Sequence, residues 1–572
     1  MGFSVIDSVK ACVDGALPVL SAMCEKTGLI ELIDCKVGKQ GNRIVSSGNA
    51  IKAMMMNIVS GRKPLYRLES FYEKADTEKL FGEGVTPEHL NDDTMARALD
   101  DLYEVGAKKV MTELAMLIIK RFDIPVTSIH ADTTSKSVYG EYEACEYDDK
   151  LLQIKRGYNK DHRPDLKQLL FGLGVTKDRI IVAGDVTDGN TSDKEWNKDI
   201  LKELRKSMKE YGLRDFIYVA DSAAVTEEML KGLSGDGETE VEIPFVTRLP
   251  GTYHLEKELR QKAAANKDKW IDAGKFSEKD GAASYKIQAF TDKLYDKEYH
   301  FVVCSSDHLD TRKQKKLRKL IDEEKDFITS TAKKFEKQEF YCQADAEESF
   351  RRIIKQANIK YHEVSLKIEA KEQFKKKQGR GRCSKYDVRE KETLYLPNVS
   401  IYEDEASIEE LKDEIGMFVL VTSAIEQLNI EPADVLKEYK EQTSVETSFR
   451  VLKDPLFIDE LFVKTPQRVE ALGYVMLMAL MLLTLLERTV RVNLKNSKEG
   501  DGRVKIIGQV YTDKPTGKGI IDTFENITVI AIFDSESNQW HRKCNIDGHS
   551  LRLLKLAGFD ETVYTKSTKT LN

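Results

Sequence analysis

Val126-Thr-Ser-Ile-His-Ala-Asp132-Thr-Thr-Ser135 has the alternation of a strand, with Val126, Ser128, His130 and Asp132 on one face. The strand is expected to end at Asp132, before polar Thr133, Thr134 and Ser135. An acid at a strand end suits a functional site, and it equally suits a turn start. Short strands are expected next at 137–139 and 151–155, then at 166–175 and 180–185. Asp188-Gly-Asn190 is a turn by composition. Ser192 caps a helix reaching Tyr211, with Trp196, Ile200, Leu201 and Leu204 inward. Asp215-Phe-Ile-Tyr-Val-Ala-Asp221 reads as a buried strand closing on a second acid. Thr226 opens a helix with Met229 and Leu230, and Ile243-Pro-Phe-Val-Thr-Arg-Leu-Pro250 adds a strand.

Three strands, helix, strand, helix, strand is the order of a ribonuclease-H-like sheet. Such a sheet sets Asp132 and Asp221 close together and lacks only a helix with a third carboxylate. From 251 to 415 the composition turns sharply charged. Arg312-Lys-Gln-Lys-Lys-Leu-Arg-Lys-Leu-Ile321 opens a basic helix, and Lys371-Glu-Gln-Phe-Lys-Lys-Lys-Gln-Gly-Arg-Gly-Arg-Cys-Ser-Lys385 is a basic loop. This region reads as an insertion, mainly strands plus one long helix. Its basic runs suit a DNA backbone or a solvated face. Met417-Phe-Val-Leu-Val-Thr422 restores an apolar strand.

The awaited helix follows as Tyr439-Lys-Glu-Gln-Thr-Ser-Val-Glu446-Thr-Ser-Phe-Arg-Val-Leu-Lys453. Val445, Ser448, Phe449 and Leu452 form its inward stripe. Tyr439, Gln442, Glu446 and Lys453 are expected on a neighbouring face of the same helix. A carboxylate that holds a divalent metal and an ammonium that holds a phosphate suit a phosphodiester site. An ordinary amphipathic helix with solvated charges has the same pattern.

The N-terminal region reads as helices, one around Ile51, Met54, Met55 and Ile58 and another around Met95, Leu99, Leu102 and Tyr103. With Arg62, Lys63 and Arg67 at a turn, it suits either a DNA-binding module or a dimerisation and packing domain. Ala471-Leu-Gly-Tyr-Val-Met-Leu-Met-Ala-Leu-Met-Leu-Leu-Thr-Leu-Leu486 falls short of the roughly 20 residues of a membrane span. It is expected to be a buried helix against the sheet, with no membrane partner. A formal net charge of -7 over 572 residues does not suggest a generic nucleic-acid coat, so DNA binding would need local basic patches. Eight scattered cysteines without C-x-x-C, and no His pair at ligand spacing, argue against zinc and for reduced cytosolic thiols. The N-terminal stretch lacks a secretory pattern.

These residues resemble a DDE transposase of bacterial insertion sequences, in the group marked by Y-x2-R-x3-E-x6-K. Tyr439, Glu446 and Lys453 match that signature at its spacing, with Gln442 where Arg is usual. The resemblance also takes in Asn91-Asp-Asp93, Asp132-Thr-Thr-Ser135, Tyr158-Asn-Lys-Asp-His-Arg-Pro-Asp-Leu-Lys-Gln168 and Asp188-Gly-Asn190. It continues through Ala220-Asp-Ser222, Val246-Thr-Arg-Leu-Pro250 and Phe449-Arg-Val-Leu-Lys-Asp-Pro-Leu456. It implies two Mg2+ ions, with Mn2+ able to substitute, held by Asp132, Asp221 and Glu446 as catalytic metal ligands. Tyr439, Gln442 and Lys453 would grip DNA near the cleaved end, with Lys160 and Arg163 as further phosphate contacts. No nucleotide cofactor is implied.

The expected architecture is α/β: a ribonuclease-H-like mixed sheet with helices, interrupted by a long α+β insertion and preceded by an all-helical domain. The boundaries are 1–122 for the helical domain, 123–250 for the first catalytic part, 251–415 for the insertion, 416–495 for the second catalytic part and 496–572 for a C-terminal accessory region. The implied partners are double-stranded DNA, as terminal inverted repeats and target, and a second copy of the chain. The implied location is cytoplasmic, at a bacterial or archaeal nucleoid. A nuclease of the same fold without strand transfer, or a non-catalytic DNA-binding descendant, fits the same residues.

Overall fold

The chain divides into two units, one of Met1–Arg248, Thr422–Ile430 and Lys437–Asn572, the other of Leu249–Val421 and Glu431–Leu436. The computed structural model describes residues 6–39, 41–61, 63–138, 142, 151–160, 163–235, 241–276, 281–307, 311–375, 390–454, 463, 465–498, 501–534 and 539–566. Arg62, Tyr139, Asp161, His162, Pro455, Leu456 and most of the basic loop, 376–385, lie outside them.

In the first unit, strand β1 (Ile6–Cys12) precedes the helices Leu17–Thr27, Leu29–Val37, Ser47–Ser60, Asp92–Glu104 and Ala107–Arg121. The mixed sheet comes next. β2 (Ser128–Val138) pairs antiparallel with β3 (Lys167–Val175), which pairs antiparallel with β4 (Ile181–Thr187). Ser192 caps the helix Asp193–Tyr211 through a box closed by Glu195. β5 (Ile217–Ala220) then pairs parallel with β2, and β6 (Phe245–Arg248) parallel with β5. The order here is β4-β3-β2-β5-β6. β3 is apolar almost throughout because both its faces are covered.

Two sequence expectations change at β2. The strand does not end at Asp132. Its ladder with β3 runs on from His130↔Val175 to Val138↔Lys167, carried by β-branched Thr133 and Thr134. It therefore absorbs Ser137 and Val138 from the separate strand expected there. No strand forms at 151–155, where Lys155 makes one isolated bridge to Gln168.

The second unit holds β7 (Ile271–Lys275), β8 (Ser284–Leu294) and β9 (Lys297–Ser306) as an antiparallel meander. β10 (His362–Phe374) and β11 (Lys391–Glu403) form a two-stranded ribbon, and β12 (Phe418–Thr422) lies beside β9. The long helix is Thr311–Phe335. Beside the one long helix expected among mainly strands, the unit also has the helices His254–Ala265, Gln343–Ala357 and Glu405–Gly416. Gln343–Ala357 carries i,i+4 pairs such as Glu347 with Arg351 and Glu348 with Arg352. Its charge content hid a helical period that such pairs support.

The first unit resumes with the helix Pro466–Asn496, whose apolar run is buried against β4 and the helices Ser47–Ser60, Asp92–Glu104 and Ala107–Arg121. At 31 residues it is long and apolar enough to cross a bilayer, yet nearly all of its apolar window is covered by protein. It outruns the apolar run read in the sequence because the charged residues on either side continue the same helix. β13 (Val504–Ile506) and β14 (Val510–Thr512) form a hairpin, and β15 (Val529–Asp534) pairs with β16 (Gln539–Cys544). β15 also pairs antiparallel with β1, Val9 opposite Ile532 and Cys12 opposite Val529. The N-terminal region is thus not all-helical, because its first segment finds hydrogen-bond partners at the far end of the chain. Buried Arg542 reinforces this closure, its Nε 2.7 Å from Oδ2 of buried Asp76, and Tyr564 donates to the Gly15 carbonyl.

Candidate active site

β2 and β5 run parallel with Ala131 opposite Ala220, so the next residues along, Asp132 and Asp221, stand side by side. β5 ends at Ala220 while β2 continues, and Asp132 therefore lies at the step where its parallel neighbour stops. Asp221 accepts from Ala223 N–H, and its own carbonyl accepts from Thr247 Oγ1 on β6. Asp132 accepts from Thr133 N–H at 2.7 Å.

Burial drives the Asp132 carboxyl up to about 6, with Asp221 and Asp193 adding repulsion and Lys160 and the Thr133 N–H opposing it. The Asp221 carboxyl is also raised, first by burial and then by Asp193, against the Ala223 N–H and Lys160. Lys160 Nζ lies 3.7 Å from Asp132 Oδ1 and 3.6 Å from Asp193 Oδ1, and donates to the Thr133 carbonyl at 2.7 Å. Thr133 Oγ1 donates to Asp193. One ammonium thus sits among carboxylates that repel one another.

Asp193 is not singled out by the sequence, where Ser192-Asp-Lys-Glu195 reads only as a cap. The strand order holds the signal. β4 runs parallel to β2, so the helix that follows it starts at the carboxyl ends of β2 and β5.

The segment around Glu446 departs from the sequence reading. The spacing predicts one continuous helix from 439 to 453, but there are two, Pro432–Lys440 and Thr443–Leu452. At the junction Gln442 N–H bonds Tyr439 O, Ser444 N–H bonds Glu441 O and Val445 N–H bonds Gln442 O, an i to i-3 pattern that tightens the turn. Tyr439 lies in the last turn of the first helix, Gln442 caps the second and Lys453 closes it, so these residues do not share one straight face with Glu446. The inward stripe is as expected, with Val445, Ser448, Phe449 and Leu452 buried, and the second helix packs on β2 and β3. Glu446 itself is exposed. Arg163 pairs with Asp165 at the surface.

Asp132 and Asp221 offer hard oxygen donors whose mutual repulsion a divalent cation relieves, so this pair fits Mg2+. The fit stops at two. Among the described residues, no three His, Cys, Asp or Glu side chains form a group that could hold a metal ion, and Glu446 is not gathered with the two aspartates.

The family described as "Domain of unknown function (DUF4277)" matches residues 10–116, which cover the end of β1 and most of the N-terminal helices. No curated protein matches the chain. Among solved structures, the piggyBac transposase synaptic complex with hairpin DNA, determined by cryo-EM, is similar at 8% identity. The TM-score is 0.34, over 85% of this chain and 76% of that one.

Proposed function

We propose that this chain is a Mg2+-dependent DDE-type DNA transposase that cleaves the ends of its element and joins them to target DNA. The observation that carries the reading is the parallel register setting Asp132 beside Asp221 at the end of β5. The order β4-β3-β2-β5-β6, two antiparallel pairings followed by two parallel ones, supports a ribonuclease-H-like catalytic sheet. Asp132 and Asp221 would hold Mg2+, with Glu446 as the third ligand proposed from the sequence signature. Bound there, Mg2+ supplies activation of a water or a 3′-hydroxyl and stabilisation of the leaving oxygen.

The chain's own residues have separable tasks. Lys160 neutralises Asp132 and Asp193 and keeps the carboxylates in place. Tyr439, Gln442 and Lys453 flank Glu446 and would orient the DNA phosphates. The chain would act as a homodimer on paired terminal repeats.

The test uses the full chain with duplex carrying the sequences that flank its coding region. Asp132→Asn and Glu446→Gln should each retain end binding and lose Mg2+-dependent cleavage. Cleavage kept by Glu446→Gln removes that residue from the mechanism, and cleavage kept by Asp132→Asn overturns the reading. Cleavage without joining leaves a nuclease of the same fold.

A further inference from the structure

Beside the Glu446 helix lies a cavity of about 800 Å3 that the chemistry above does not use. Its size falls within the roughly 300–1,000 Å3 that takes small organic ligands. Lys63, Lys177, Arg179, Arg450, Arg491 and Lys518 line it, six cations against four acids, Glu441, Asp454, Glu487 and Asp522. Several of these charges are already matched. Arg179 and Arg491 pair with Glu487, and Lys177 with Glu438. Lys63 and Arg450 form no ion pair among the described residues.

The wall also carries an unmet polar group. Ser444 is more than nine-tenths buried and lines the cavity, and its Oγ has no hydrogen-bond partner. A buried hydroxyl without a partner is unfavourable, so the position favours a polar occupant. Ile58, Leu65, Leu472 and Met476 give the cavity an apolar wall, and Asn57, Thr484 and Thr516 add polar groups elsewhere in its lining. An anionic group, hydrogen-bonding capacity and a flat apolar body are together the chemistry of a nucleoside phosphate.

We propose that this cavity binds one nucleoside monophosphate unit, its phosphate at Arg450 and Lys63 and its base within the apolar wall near Ser444. Arg450 and Glu446 are four residues apart on one helix, so their side chains are neighbours on its surface. A nucleotide held at Arg450 would therefore lie next to a phosphodiester presented to Glu446. The unit could come from a DNA end or be a free nucleotide, and the experiment separates the two.

Equilibrium dialysis of the full chain in EDTA would use thymidine 5′-monophosphate as the probe, with thymidine and inorganic phosphate for comparison. One saturable site per chain is expected. Arg450→Ala should weaken it about tenfold, a loss of roughly 1.4 kcal/mol. Thr447→Trp, which fills the cavity from a half-buried position without removing a charge, should abolish binding, and Thr447→Ala should leave it unchanged. Undiminished binding in Thr447→Trp overturns the proposal, as does equal binding of thymidine or phosphate alone.

A duplex with 2-aminopurine at its terminal position gives the second arm. A fluorescence rise lost in Thr447→Trp assigns the cavity to a DNA end, whereas monophosphate binding without that rise assigns it to a free nucleotide. Neither arm contains metal. Failure here leaves the cleavage reading intact, and a chain that binds the monophosphate without cleaving DNA fails only that reading.

Discussion

Gly172 on β3 faces the indole of Trp196, and a Cβ built there would overlap the indole nitrogen. Trp196 is fully enclosed on the helix Asp193–Tyr211, so neither group can retreat. Gly172→Ala should cost about 3 kcal/mol in urea denaturation, near the upper end of ordinary overpacking. A loss under about 1 kcal/mol would mean that the helix is free to shift outward. Asp14 makes stability depend on pH. Burial lifts its carboxyl from 3.8 to about 6, Asp76 N–H and the cations Lys79 and Arg542 oppose the shift, and the Asp76 carboxylate adds to it. The folded chain thus holds the Asp14 proton more tightly than the unfolded chain. Ionisation as pH rises through that window removes stability. Asp14→Asn should gain in melting temperature relative to the native chain between about pH 4 and pH 7. A constant difference across that range would show that Asp14 ionises at no cost.

At the scale of elements, what is legible follows from what is local. The Ser192 cap, the strand leading into Asp221 and the buried stripe through Val445, Phe449 and Leu452 each rest on neighbours a few residues away, and each is present. The break between Lys440 and Thr443 is not legible. Side-chain spacing survives a shift of backbone hydrogen bonds from i-4 to i-3, and only the bonds reveal it. Asp193 escapes because its role depends on which strands its helix abuts. β1 escapes because its partner lies more than 500 residues away. β1 can be tested as an element. Removing residues 1–12 strips one side of β15 and leaves its backbone groups unpaired at a sheet edge. The shortened chain should melt lower and aggregate in light scattering. An unchanged melt would make β1 an adhering strand only.

For the whole molecule, the central fact is an acidic protein proposed to act on DNA. With a net charge of -7, affinity must come from local cationic surfaces set against a repulsive background. Neutralising one phosphate-binding cation should reduce the slope of log affinity against log salt by about 0.9. Replacing Lys375, Lys376 and Lys377 with Gln should weaken binding and flatten that slope by up to roughly three such steps. An identical slope would return the basic loop to the solvated-face reading. Tertiary closure matters at this scale too. Arg542 and Asp76 are buried together, and removing either strands a charge, at about 3–5 kcal/mol.

The pairing of β1 with β15 also constrains how the chain is made. β1 leaves the ribosome more than 500 residues ahead of β15. At roughly 5–20 residues per second, β1 waits on the order of a minute for its partner. Through that interval the nascent chain carries an unpaired strand. The stretch Leu249–Val421, continuous in sequence, can meanwhile complete its own contacts. Pauses or premature stops between β1 and β15 should therefore leave that strand exposed, however much of the chain between them has folded.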